Sequence, residues 1–77
     1  MSSEKSFYVV LEPNRTIYVD TDDQGVALKV AVRVRYLMGE IRGVGFSPTP
    51  TIERQMIDPN LLKDPQEYEG VKYWLAP

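Results

Sequence analysis

An alternating pattern in the middle of the chain constrains its fold more than any other feature. Every even-numbered position from residue 26 to residue 38 is apolar, and the odd positions include Lys29, Arg33 and Arg35. Successive side chains of a β-strand point to opposite sides of the sheet, so a period of two is typical of a strand with one buried face. The pattern predicts a long strand from about residue 26 to residue 37, with a basic outer stripe.

Three further strands are predicted around this segment. Residues 7–11 and 16–20 are rich in β-branched and aromatic side chains, and the proline–asparagine pair between them favours a hairpin. The glycine and glutamate at 39–40 suit a type II′ turn into a fourth strand over residues 40–46. The sequence therefore favours a four-stranded antiparallel meander.

The composition changes after residue 46. Pro48 and Pro50 end the sheet, because proline has no backbone N–H to donate to a ladder. A short helix is expected after Thr51, and the Asp–Pro pairs at 58–59 and 64–65 are typical starts of single helical turns. The last of these turns ends at Gly70, and a final strand is expected after it, over residues 71–75.

A chain of 77 residues forms one small domain. We expect residues 1–5 to be disordered, residues 6–46 to form the sheet, and residues 47–77 to pack on it. The fold class is therefore mainly β, with a small α+β fold as the alternative: a meander covered by an irregular, proline-containing C-terminal segment with one or two helical turns. The pattern does not decide whether the sheet closes into a barrel.

The residue types present argue against catalysis. The chain contains no histidine and no cysteine, so it lacks the commonest general base and the thiolate nucleophile. Aspartates at 20, 22 and 23 lie in a polar loop, where aspartate is ordinary turn chemistry. We therefore expect no enzymatic activity and no cofactor.

One loop has part of a calcium-binding pattern. Residues 20–25 place oxygen-bearing side chains at the first, third and fifth positions and glycine at the sixth. The twelfth position is Ala31, where such a loop needs a bidentate glutamate. A solvated turn is the preferred interpretation, and no metal site is predicted.

The charge balance does not favour a polyanionic partner. Residues 1–46 hold six acids and six bases, whereas residues 47–77 hold five acids and three bases, which accounts for the net charge of −2. Neither half has the strong positive field that binding to a phosphate backbone requires.

Two groups of residues are candidates for binding. The predicted outer sheet face and its neighbouring strand supply basic side chains, and the final strand supplies aromatic ones: Lys29, Arg33, Arg35, Arg42, Tyr73 and Trp74. Because neighbouring residues of a strand point to opposite faces, one of Tyr73 and Trp74 is expected to be exposed unless both faces of the sheet are covered. Tyrosine and tryptophan are common anchors at protein interfaces.

These surfaces suit a small adaptor or regulatory protein that binds a protein partner. It would act through the sheet face or the aromatic C-terminal segment, with self-association through a strand edge as a related hypothesis. The alternative is a single-stranded nucleic-acid-binding module that uses the basic strand face. No apolar stretch approaches the roughly 20 residues that span a bilayer, and the polar N-terminus lacks a signal region, so a cytoplasmic protein without membrane contact is expected.

Overall fold

The computed structural model describes residues 4–39 and 50–76 as a five-stranded antiparallel sheet with one α-helix packed on it. The strands are β1 (Lys5–Glu12), β2 (Arg15–Val19), β3 (Thr51–Ile57), β4 (Gln66–Tyr68) and β5 (Val71–Ala76), and their order in the sheet is β3-β1-β2-β5-β4. The α-helix, α1 (Gln24–Leu37), lies between β2 and β3 in the chain, and a 3₁₀ turn (Pro59–Leu61) lies between β3 and β4. The mainly β class is confirmed, but the predicted four-stranded meander is wrong, because the sheet has five strands and their order does not follow the chain.

Strands β1 and β2 form the predicted hairpin. Glu12 pairs with Arg15, so Pro13 and Asn14 alone make the turn. Further along the ladder Val10 pairs with Ile17, and the β-branched and aromatic content of both segments suits the pleated surface. This hairpin occupies the centre of the sheet.

The prediction of a long strand over residues 26–37 is wrong, because this segment forms helix α1. The same run also contains apolar residues at helical spacing: Ala27, Val30, Ala31 and Val34 follow the i, i+3, i+4, i+7 pattern and are all buried. In a helix this stripe can cover the sheet, whereas a strand would have left that face of the sheet open. Packing against the sheet therefore favours the period of 3.6 over the period of two.

Both ends of α1 carry ordinary helix-end residues. The carboxylate of Asp23 accepts hydrogen bonds from the backbone N–H groups of Gly25 at 2.8 Å and Val26 at 3.4 Å. Asp23 is thus the N-cap that the first turn needs. After Met38 at the C-cap, Gly39 adopts a φ of +72°, the left-handed conformation that commonly ends a helix.

Both faces of the sheet are covered. On one face α1 packs over Val10, Ile17, Val19 and Tyr73. On the other face Phe7 and Trp74 meet edge to face with ring centres 5.4 Å apart, and Leu62 packs against this pair. Strands β3 and β4 lie at opposite edges, about 19 Å apart at ordinary strand spacing, so the segment that joins them has to cross the sheet.

The second half of the chain supplies three strands of the sheet and does not simply pack on it. The helix expected after Thr51 is strand β3, and the helical turn expected over residues 66–69 is strand β4. Pairing with β1 along seven positions overrides the weak helix signal there. The turn behind Asp58 and the final strand are confirmed, as Pro59–Leu61 and β5.

Residues 1–3, 40–49 and 77 lie outside the described part of the chain, and with them the predicted strand over residues 40–46. Strand β1 begins at Lys5, the last residue of the segment predicted to be disordered. Within the described ranges no helix combines the length and the apolar character that crossing a membrane requires.

Candidate binding groove on helix α1

The helix separates the basic residues that the strand prediction placed on one face. Lys29 and Arg33 lie on the outer side of α1, whereas Arg35 turns inward and is only 8% exposed. A helix turns by about 100° per residue, so residues two apart point in nearly opposite directions. The predicted basic stripe is wrong at Arg35, and Arg42 lies outside the described residues.

Arg35 takes part in an ion cluster below the helix. The carboxylate of Glu12 accepts a hydrogen bond from Nε of Arg35, and Nη1 of Arg15 lies 3.5 Å from the other oxygen of Glu12. The Glu12 side chain is 5% exposed, and those of Arg35 and Arg15 are 10% and 13% exposed. The cluster therefore links the end of the β1–β2 hairpin to α1.

Tyr73 and Trp74 are both buried, at 3% and 7% exposure. Their side chains point to opposite faces of the sheet as predicted, but α1 covers the first and the segment after β3 covers the second. The prediction that one of them is exposed is therefore wrong. Neither ring is available as a surface anchor.

The outer side of α1 carries a groove of about 510 Å³. One side of the groove is a row of side chains along α1, here called the apolar ridge: Leu28, Val32 and Tyr36. They are spaced four residues apart and are 38%, 45% and 61% exposed. Lys29 and Arg33 flank this ridge, and Tyr68 reaches it from β4. The groove thus combines exposed apolar surface with two basic side chains.

The β4–β5 hairpin forms the wall of the groove opposite the helix. Tyr68 pairs with Val71, so Glu69 and Gly70 alone make the turn, with φ of +52° and +81°. Positive φ at both central residues is typical of a type I′ turn, whose twist matches that of the strands. This tight turn places Tyr68 and Glu69 beside the helix.

Glu69 ties the hairpin to the helix through Lys29. The Nζ atom of Lys29 lies 2.5 Å from Oε2 of Glu69, and both side chains are exposed. The hydrogen bond to Glu69, and then the negative charge of that carboxylate, raise the pKa of Lys29 above its ordinary value of 10.5. Lys29 is therefore already partnered within the chain.

Arg33 lies close to two aromatic rings. Its guanidinium carbon lies 5.4 Å from the ring centre of Tyr36 and 5.5 Å from that of Tyr68. Both distances are typical of cation–π contacts. In the described ranges no carboxylate lies within ion-pair distance of Arg33, whereas Glu69 partners Lys29.

The aspartates of the partial calcium pattern are each engaged by other protein groups. Asp20 lies 2.8 Å from Nζ of Lys5, Asp22 lies 3.2 Å from Nη2 of Arg54, and Asp23 caps α1. Across residues 4–39 and 50–76, no three acidic side chains come close enough together to hold a metal ion. The loop therefore has a structural role, since its last aspartate, Asp23, caps the start of α1.

The sequence analysis identified Lys29 and Arg33 of the groove, but its strand pattern assigned the even-numbered Leu28, Val32 and Tyr36 to the buried face. It did not predict that Tyr68 lies beside them. The signal for the ridge was the spacing of four residues from 28 to 36, which is a helical period. No signal near Tyr68 in the sequence indicates contact with a helix more than thirty residues earlier. No protein-family model matches the chain, and no curated protein or solved structure shows significant similarity to it.

Proposed function

We propose that this chain is a small protein-binding module, of adaptor or regulatory type, whose groove on α1 holds a segment of a partner protein. The observation that carries the proposal is the exposed ridge of Leu28, Val32 and Tyr36. Burial of apolar surface contributes about 25 cal/mol per Å², so three adjacent apolar side chains can anchor a partner. Grooves beside a helix are a common way to bind a peptide.

The proposal moves the binding surface from the sheet to the helix. The outer sheet face and the aromatic C-terminal strand were the expected surfaces, but the rings of Tyr73 and Trp74 are buried. On α1, by contrast, apolar and basic side chains are exposed together. Lys29 and Arg33 keep their proposed role in binding, now beside the apolar ridge.

Binding is proposed in preference to catalysis because of the side chains available. The sequence offers neither an imidazole nor a thiol. The groove itself contains two cations, two tyrosines and aliphatic groups, a set that suits recognition of a surface.

A second candidate function is binding of single-stranded nucleic acid. Its supporting observation is that Tyr36 and Tyr68 lie beside Arg33, since such modules combine stacking rings with cations. Two features weigh against it: Glu69 already pairs with one of the two cations of the groove, and the whole chain carries a net charge of −2. A phosphate backbone would meet little positive field here.

Affinity capture from the native source, with and without nuclease, tests the proposal. Three baits are compared: the unchanged chain, Val32→Glu in the groove, and Leu61→Ser as a control on an exposed side chain outside it. We expect protein partners that survive nuclease, that persist with Leu61→Ser and that are lost with Val32→Glu. Partners retained by a folded Val32→Glu variant would exclude the groove as the binding surface.

A further inference from the structure

The two cations of the groove differ in what they can still bind. Lys29 has a carboxylate partner at 2.5 Å in Glu69, on the groove wall. Arg33 contacts the rings of Tyr36 and Tyr68, and the described part of the chain places no carboxylate beside it. The groove therefore presents one guanidinium whose hydrogen-bonding edge is not used by an acidic group of the described residues.

A guanidinium that makes cation–π contacts with aromatic rings still has in-plane N–H donors. Arginine presents five donors in a rigid fork that matches a carboxylate, and the contact of its face with a ring does not occupy them. The rings of Tyr36 and Tyr68 restrict the side chain, so less freedom is lost when a partner binds. Arg33 can therefore donate hydrogen bonds to one anionic group of a partner.

The ridge beside Arg33 has the geometry of a helix-packing surface. Leu28, Val32 and Tyr36 form a row with four-residue spacing, about 12 Å long, which is the ridge that helices use in the commonest packing class. Gly25 lies in the groove one turn before this row and adds no side chain there. About two turns of a second helix match this length.

We infer that the partner segment is an acidic amphipathic helix whose apolar side packs on Leu28, Val32 and Tyr36 and whose carboxylate pairs with Arg33. This inference rests on the proposed function and specifies the chemistry of the partner. The carboxylate would accept two hydrogen bonds from the guanidinium, as in bidentate arginine–carboxylate pairs. The apolar contacts supply affinity, and the ion pair selects for acidic segments.

A second copy of α1 fits this surface poorly. Two copies of the helix packed antiparallel through the same ridge would place Lys29 and Arg33 of both chains along one flank of the contact. Like charges facing each other across an interface disfavour association. The charge of the groove therefore favours a different, acidic chain.

Two designed peptides of about 18 residues, long enough to populate a helix, serve as probes. Both carry leucine at helical spacing along one side; one has glutamate on the flanks and the other has glutamine at the same positions. A labelled poly-thymidine oligonucleotide is the third probe. Fluorescence anisotropy at about 0.15 M salt measures binding of each probe to the full chain.

We expect the glutamate peptide to bind about tenfold more tightly than the glutamine peptide, as one charge-assisted bidentate pair predicts. Arg33→Gln should remove this difference, so that the two peptides bind the variant with equal affinity. Lys72→Gln, which removes the same charge from an exposed residue of β5 outside the groove, should preserve the difference. Val32→Glu should weaken the binding of both peptides.

Equal affinities for the two peptides, or a preference that survives Arg33→Gln, would overturn the inference while leaving the proposed function in place. Failure of both peptides to bind would also overturn it, and the capture experiment would then judge the proposed function independently. Binding of the oligonucleotide alone, lost in Arg33→Gln, would exclude the acidic helix and favour the nucleic-acid candidate.

Discussion

The guanidinium carbon of Arg33 lies 5.5 Å from the centre of the Tyr68 ring, although 35 residues separate them in the sequence. Arg33 belongs to α1 and Tyr68 to β4, so this contact joins the helix to the outer hairpin of the sheet. Together with the pair between Lys29 and Glu69, it connects the two sides of the groove. The binding surface thus depends on the β4–β5 hairpin as much as on the helix.

Replacing Tyr68 with leucine should lower the free energy of unfolding by about 0.5–1 kcal/mol, since it removes a cation–π contact at a partly exposed site. Urea unfolding of Tyr68→Leu, Arg33→Gln and the double variant measures the coupling between the two side chains. We expect the double variant to lose less than the sum of the single losses. Strict additivity would show that the contact contributes nothing.

Removing the N-cap of α1 should destabilise the chain by about 1 kcal/mol. Asp23→Ala leaves the N–H groups of Gly25 and Val26 without their side-chain acceptor. Asp23→Asn is the matched control, because asparagine also accepts at this position and should retain most of the stability. The comparison is made by urea unfolding, and equal midpoints for all three chains would argue against a helix that begins here.

Among single changes to polar contacts, neutralising Glu12 should lower the free energy of unfolding most. Glu12→Gln removes the carboxylate from a nearly buried cluster with Arg15 and Arg35, a loss of about 3–5 kcal/mol. A chain of 77 residues has about 4–12 kcal/mol of stability in total, so the variant should be close to unfolding at 37 °C.

The exposed ion pair of Lys5 with Asp20 provides the control for that change. Asp20→Asn should cost less than about 1 kcal/mol, since solvent screens a surface pair. Thermal unfolding measures both variants. If Glu12→Gln lowered stability no more than Asp20→Asn does, the result would contradict the buried cluster.

Trp74 should report on the face of the sheet opposite α1. It is the sole tryptophan, it is 7% exposed, and its ring meets that of Phe7. We expect blue-shifted emission and weak quenching by acrylamide in the folded chain, with both lost in urea. Phe7→Leu should increase the quenching, whereas emission typical of a hydrated indole in the unchanged chain would contradict this packing.

The ion pair of Lys29 should make stability depend on pH in the alkaline range. Because the pKa of Lys29 is raised in the folded chain, the stabilisation is complete below the unfolded value of about 10.5 and is lost as the pH rises through the raised value. The difference in melting temperature between the unchanged chain and Lys29→Gln should therefore shrink above about pH 10.5.

The same comparison in a Glu69→Gln background supplies the control for Lys29. The partner carboxylate is absent there, so replacing Lys29 should produce a much smaller pH-dependent difference. High salt should reduce the effect in the original background, since the pair is exposed. If the pH-dependent difference in melting temperature were the same in the Glu69→Gln background, it would have to arise from groups other than this ion pair.

The segment at 26–38 shows why the fold was only partly predictable. Its even positions are apolar, but Ala27 and Ala31 also complete a helical stripe with Val30 and Val34. Two residue signals favoured the helix: an aspartate before the run and a glycine after it. The alternation predicts a strand, but only a helix over this segment covers the open face of the sheet.

Sequence alone determined the central hairpin, because the local chemistry of its turn and strands needs no distant partner. It also determined that Lys29 and Arg33 share a side, since residues four apart are neighbours on a helix and lie on one face of a strand. Arg35 is two residues from Arg33, a spacing that places both on one side only in a strand. Whether the Arg35 side chain is exposed or buried therefore depends on whether the segment forms a strand or a helix.

Only the tertiary structure decided what these elements contact. The crossing of the sheet between β3 and β4 buries Trp74, and the tight turn at Glu69 brings Tyr68 to Arg33. Both outcomes depend on which strands become neighbours in the sheet. Which strands pair depends on the apolar surface that the whole chain buries, and this total cannot be calculated from any short segment alone.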